Sequence, residues 1–161
     1  MHLKIKTKDL ALITIFAALY AALVIIFLPT SFLPQQFRVA GMLRPGIAKK
    51  WVLALGYGIG VVVGNVFGQF VGPWDLVFMP VMSVVAGLAG YFVAKWFHNN
   101  YFVAGAVIAT ITSVSLSFMF SQFGTPMIAS LPLLFIAEQI VNLIGAFIFR
   151  LIDTRFKWYQ A

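Results

Sequence analysis

Four ionisable side chains fall within or beside long apolar stretches of this sequence: Arg38, Arg44, Asp75 and Glu138. At the centre of a bilayer each would cost about 2.5–3.5 kcal/mol or more, so in a membrane chain each is a functional-site candidate. Two cations and two anions also permit a simpler arrangement, in which they neutralise one another. Uncharged polar residues stand nearby: Asn65, Gln69, Gln122, Gln139 and Asn142. Asn142 lies one helical turn beyond Glu138 and projects from the same face. Trp74, Phe37 and Phe123 add flat apolar surface beside these groups. A polar cluster roofed by aromatic rings suits a flat ligand that hydrogen-bonds along one edge. The candidate substrate-binding residues are therefore Arg38, Asn65, Trp74, Asp75, Glu138 and Asn142.

Other chemistries find little to work with. The absence of Cys excludes disulfides, thiolate metal sites and cysteine nucleophiles. His2 and His98 are far apart and lie near Lys or Asn, which suits solvated loops better than metal ligation. No metal or other cofactor is expected. There is no Gly-Lys-Ser/Thr phosphate loop, no H-E-x-x-H, no G-x-S-x-G and no Ser/His pair placed for nucleophilic attack. An enzyme is not expected, and an ATP-driven machine would need its ATPase on another chain.

The elements that must position the polar residues follow from hydropathy. The 161 residues are 62% hydrophobic and 9% charged, with a mean hydropathy of +1.00, whereas a soluble domain carries about 25% charged residues. A soluble chain this short cannot hide so much apolar surface, but a bilayer can act as its solvent. A span needs about 20 apolar residues. Runs over 10–28, 75–96, 101–123 and 130–152 meet this, as does a Gly-rich run over 51–70. The stretch 35–48 is too short to cross straight and contains Arg38, Arg44 and Pro45. It is expected to be a short, steep or irregular helix surrounded by the others, the condition under which such backbone is tolerated at membrane depth. The expected fold is an all-α six-helix bundle, one transmembrane domain over 1–161, with a short second helix. The run 10–28 is too long for a signal-peptide h-region, and Pro29-Thr30-Ser31 lacks the cleavage pattern, so a cleaved signal peptide is not expected.

Charge placement supports six crossings. One side gathers Lys4, Lys6, Lys8, Lys49, Lys50, Lys95, Arg150, Arg155 and Lys157, while the opposite loops, 29–34, 69–74 and 122–129, hold no Lys or Arg. The positive-inside rule then puts both termini in the cytoplasm. It also reads the net charge of +7 as topology and not as affinity for nucleic acid. Five crossings would place the C-terminal cations outside.

Small residues recur every four positions, as close helix packing in lipid requires. Gly56, Gly60, Gly64 and Gly68 form one stripe, Ser113, Ser117 and Ser121 a second, and Ala86, Gly90 and Ala94 a third. Packing inside the bundle is expected of all three. The first span carries a doubled ribbon, Ala17/Ala21 and Ala18/Ala22. Internal packing and a docking groove for another membrane subunit are the alternatives there.

Together these features resemble the S component of an energy-coupling factor (ECF) importer. That family has six helices, cytoplasmic termini and an Ala-x-x-x-Ala motif on helix one. The resemblance implies that Ala17, Ala18, Ala21 and Ala22 dock onto a transmembrane coupling subunit, which carries two ATPase subunits. Within the family the likeness is to QueT-type components, associated with queuosine precursors. It rests on Gln36-Phe37-Arg38-Val39-Ala40, on Gly58-x-Gly60 running to Gly64-Asn65, on Trp74-Asp75 and on Glu138. Where those relatives carry an acidic residue soon after the Arg, this chain has Gly41, which bears on ligand identity. The implied function is that of a plasma-membrane, substrate-binding subunit of an ECF-type ABC importer. Its substrate would be a small vitamin-like heterocycle, a queuosine precursor or related deazaguanine base. A guanine-like edge offers an N–H and an amino group side by side, and a carboxylate such as Glu138 or Asp75 accepts both. Trp74 or Phe37 would stack on the ring. Other flat heterocyclic vitamins suit the same groups. The alternative is a stand-alone secondary transporter with proton coupling through Glu138.

Overall fold

The computed structural model describes residues 5–32, 37–68 and 72–160. His2, Lys4, Gln36 and Gln69, singled out above, lie outside the described residues. All regular structure among the described residues is helical. Helix α1 spans Thr7–Ile26, and its first turn is capped by Asp9, whose Oδ2 accepts the Lys6 backbone N–H at 2.9 Å. A single turn, α2 (Leu28–Ser31), precedes a 3-10 segment over Val39–Lys49. Then follow α3 (Leu53–Asn65), a π-helical turn (Trp74–Phe78), α4 (Met79–Trp96), α5 (Tyr101–Ser121), α6 (Met127–Arg155) and a 3-10 turn, Trp158–Gln160. Among the described residues four helices are long and apolar enough to cross a membrane: Thr7–Ile26, Trp74–Trp96, Tyr101–Ser121 and Met127–Arg155. The protein is an all-α, multi-pass membrane protein.

Two segments depart from the lengths expected of them. Among its described residues, the Gly-rich run read as 51–70 is helical over Leu53–Asn65, 13 residues. Glycine is a poor helix former, so this helix depends on its packing. The stretch read as 35–48 is a 3-10 helix over Val39–Lys49. A 3-10 helix rises about 2.0 Å per residue against 1.5 Å in an α-helix. Its 11 residues therefore reach about 22 Å, which lets a short segment run deep into the bundle. It packs against α1, α3, α4, α5 and α6, with Ala40, Gly41, Arg44, Pro45, Gly46, Ile47 and Ala48 buried. The neighbours α1–α3–α4–α5–α6 pack in that order, and the 3-10 segment is their common partner.

Close backbone approach explains the glycine stripe. A Cβ on Gly56 would stand 2.8 Å from the Ile13 carbonyl oxygen, and one on Gly60 would stand 3.0 Å from that of Ala17. A Cβ on Gly64 would instead meet the Val24 side chain, at 3.0 Å. The third stripe packs on α5, with Gly90 against Ile108 and the Ala104 carbonyl. The π-turn has a local cause in Pro80. A proline inside a helix lacks an N–H and clashes with the carbonyl four residues back. Widening the preceding turn relieves that clash, and the Met79 N–H bonds to the Trp74 carbonyl. The α4–α5 turn places His98 and Asn99 in the left-handed region (φ 58° and 55°), and Asn100 caps α5 by accepting the Phe102 N–H at 2.8 Å.

At one end of the bundle Lys50 lies 3.9 Å from Asp9, and Lys49 lies 3.6 Å from Asp153. These ion pairs bring together the start of α1, the end of the 3-10 segment and the end of α6.

Candidate functional site

The polar residues form two centres, both borne partly by the 3-10 segment. Arg44 sits at the middle of that segment and is 1% exposed. Its Nη1 pairs with Glu138 Oε2, and its Nη2 donates to the Tyr20 hydroxyl at 3.1 Å. The guanidinium also lies 5.9 Å and 5.1 Å from the ring centroids of Tyr20 and Tyr57. Tyr57 and Thr112 share a hydroxyl hydrogen bond at 3.4 Å. Asn142 Nδ2 donates to the Glu138 backbone carbonyl at 2.9 Å and to Glu138 Oε2 at 3.3 Å. Glu138 stands 11 residues after Met127, about 16 Å along α6, deeper than a helix starting at 130 implies.

This deep centre is only half satisfied. Glu138 Oε1, Asn142 Oδ1 and Arg44 Nε are buried and have no hydrogen-bond partner among the described residues. Leaving a buried polar group unpaired costs about 1–3 kcal/mol, more for a charged one. Two acceptors and one donor are thus the unpaired polar atoms of this centre, in surroundings where a hydrogen bond is electrostatically stronger than in water.

The second centre lies at the opposite end of the bundle from the Lys49–Asp153 pair. Arg38 precedes the 3-10 segment, six residues before Arg44, or about 12 Å along it. Its guanidinium lies 5.2 Å from the Phe32 ring centroid. Asn65, the last residue of α3, donates Nδ2 to both the backbone carbonyl and Oδ1 of Asp75, each at 2.9 Å. Asp75 is buried within the π-turn, in electrostatic reach of Arg38. Asp75 Oδ2, Asn65 Oδ1 and Arg38 Nε have no hydrogen-bond partner among the described residues. Trp74 is half-buried and meets Phe78 and Phe118 edge-on, with centroids 5.4 Å and 5.9 Å apart.

The six residues proposed from the sequence thus divide. Arg38, Asn65, Trp74 and Asp75 belong to the upper centre, and Glu138 and Asn142 to the deep one. Phe32, not Phe37, lies under Arg38, and Phe37 is exposed. Gln139 is turned towards α5 and bonds Thr110 Oγ1 at 3.1 Å, while Gln122 is exposed. Arg44, one of the four ionisable candidates, joins the deep centre, and Tyr20 and Tyr57 are the additions the structure makes. The tyrosines count as apolar bulk in a hydropathy scan, and only their hydroxyls inside a span, at the depth of Arg44, could have marked them. On α1 the alanine ribbon also divides. Ala17 and Ala21 are buried within this chain, and Ala17 lies against Gly60. Ala18 and Ala22 are exposed. Ala17 and Ala21 thus pack within this chain, and Ala18 and Ala22 form the outward face of the ribbon.

Among the described residues no group of His, Asp and Glu could hold a metal ion. The QueT transporter family matches residues 10–154, a stretch that contains both centres. Comparison with curated proteins and with solved structures gives no match. A multi-pass helical chain with paired charges and unfilled polar atoms in its interior, matched along nearly its whole length, belongs to the QueT transporter family.

Proposed function

We propose that the protein is the membrane-embedded substrate-binding subunit of an ECF-type importer, built as one transmembrane domain. Its six crossings place both termini in the cytoplasm and the Arg38–Asp75 centre towards the outside of the plasma membrane. The observation that carries this reading is the unsatisfied trio of the deep centre, Glu138 Oε1, Asn142 Oδ1 and Arg44 Nε. A deazaguanine edge presents an N–H, an amino group and a carbonyl, two donors and an acceptor. The trio is complementary to it in kind and number. Arg38, Asn65, Trp74 and Asp75 form the outer wall of the path to this trio. On α1 the docking face for the coupling subunit is the exposed pair Ala18 and Ala22, with Ala11 exposed on the same side.

The test is Glu138→Gln with a deazaguanine base as probe. A hydrogen bond to a charged group contributes about 1.5–3 kcal/mol, so affinity should fall roughly tenfold to a hundredfold. Because Glu138 also pairs with Arg44, stability of the unliganded protein falls too, and calorimetric affinity is the deciding readout. Unchanged affinity with lowered stability would reduce Glu138 to a counter-ion and sink the reading. Uptake that depends on an ion gradient and not on partner ATPases would favour the secondary-transporter alternative, in which Glu138 relays protons.

A further inference from the structure

The C-terminal turn Trp158–Gln160 folds back onto the end of the bundle where the 3-10 segment finishes. Lys49, the last residue of that segment, is held from several sides. Its Nζ lies 4.9 Å from the ring centroid of Tyr101, 5.1 Å from that of Tyr159 and 3.6 Å from Asp153 Oδ2. Trp158 lies over Phe149, with centroids 5.5 Å apart, and covers a buried cluster that includes Ala48, Ala94 and Tyr101. Phe149 in turn fills the space beside Gly46, where a Cβ would stand 2.7 Å from the ring. The tail, α5 and α6 therefore grip the last turn of the segment that bears Arg44. Lys49 is five residues from Arg44, about 10 Å along a 3-10 helix.

The grip is opposed from within. Tyr101 hydroxyl, Asp153 Oδ1 and Trp158 Nε1 are buried and interact with one another, yet among the described residues none makes a hydrogen bond of full geometry. Water would satisfy all three if the turn lifted, so ring packing favours closure while these polar atoms favour opening. We propose that the C-terminal turn is a clasp. It closes this end of the bundle, sets the register that seats Arg44 on Glu138, and is released when the bundle opens here. The inference stands on the packing of this end and is independent of the ligand that the deep centre takes.

The absence of native Cys allows a single-site reporter in the full chain. Ala48→Cys lies beneath the clasp, and Ala40→Cys lies at the other end of the same segment; both alanines are 0% exposed. Trp158→Ala should accelerate alkylation of Ala48→Cys by a water-soluble maleimide about tenfold, since lost ring contacts shift a local opening equilibrium by that order. Trp158→Phe, which keeps a ring on Phe149, should retain the slow rate. The rate at Ala40→Cys should not change with Trp158→Ala. An unaltered rate at Ala48→Cys overturns the clasp, and so does equal acceleration at Ala40→Cys, which would mean general loosening. Should Ala48→Cys not fold, Ala94→Cys, in the same buried cluster, reads the same opening with the same two outcomes.

Discussion

The deep centre and the upper centre are made of the same residue types but solve the problem of buried charge differently. In the deep centre a full ion pair, Arg44–Glu138, is enclosed by two tyrosine rings and an asparagine. In the upper centre one oxygen of Asp75 is met by a neutral amide, Asn65, and Arg38 rests on a phenyl ring, with no carboxylate of the described residues within ion-pair distance. Depth accounts for the difference. Far from water a lone charge is intolerable, so the deep cation must have its anion. Near the end of the bundle a guanidinium can lean on an aromatic face instead. Charge at the deep centre is thus fixed by an ion pair, and charge at the upper centre by an amide and an aromatic face.

The strongest way to break this comparison is to unpair the deep centre. Arg44→Leu strands Glu138 and should destabilise the protein by about 3–5 kcal/mol, whereas Arg44→Leu with Glu138→Leu should recover most of that loss. Denaturation in detergent checks both. A double variant as unstable as the single would show that the ion pair is not the source of the stability. The same double variant should be unable to bind a deazaguanine base even though it is folded.

A smaller loss is expected at the upper centre. Asn65→Ala removes two hydrogen bonds to Asp75 and leaves a buried carboxylate oxygen bare. About 1–3 kcal/mol should be lost, read by the same denaturation measurement. A loss equal to that of Arg44→Leu would erase the distinction between the centres.

The smallest effect on stability belongs to the exposed half of the α1 ribbon. Ala18→Trp faces outward and should change stability by no more than about 0.5 kcal/mol. It should nevertheless prevent co-purification with a coupling subunit. Ala17→Trp, buried against Gly60, should instead destabilise the isolated chain by about 1–3 kcal/mol through overpacking. Equal effects on stability would contradict the division of the ribbon.

Legibility from the sequence followed the range of the interaction. Glu138 and Asn142 were readable as a pair because one helical turn separates them, and their hydrogen bonds follow that spacing. The apolar runs gave the helices that carry them. Arg44 and Glu138 were both conspicuous, but which anion meets which cation depends on how a 3-10 segment threads five helices. Nothing local encodes that pairing. Tyr20 was hidden for the same reason, since its hydroxyl has meaning only where Arg44 arrives.

What the sequence determined by itself is set by solvent and period. Hydropathy required a helical membrane protein, and the spacing of Gly56, Gly60 and Gly64 required that a backbone lie close against α3. What only the tertiary structure decided is which side chains share the interior. The rise of the 3-10 segment sets the depth of Arg44, the π-turn at Pro80 turns Asp75 inward to Asn65, and the rotation of α1 buries Ala17 and Ala21 while leaving Ala18 and Ala22 outside. Each is a choice of register or rotation between elements far apart in the chain. Such choices are fixed by the fit of whole surfaces, and no single window of sequence contains both surfaces.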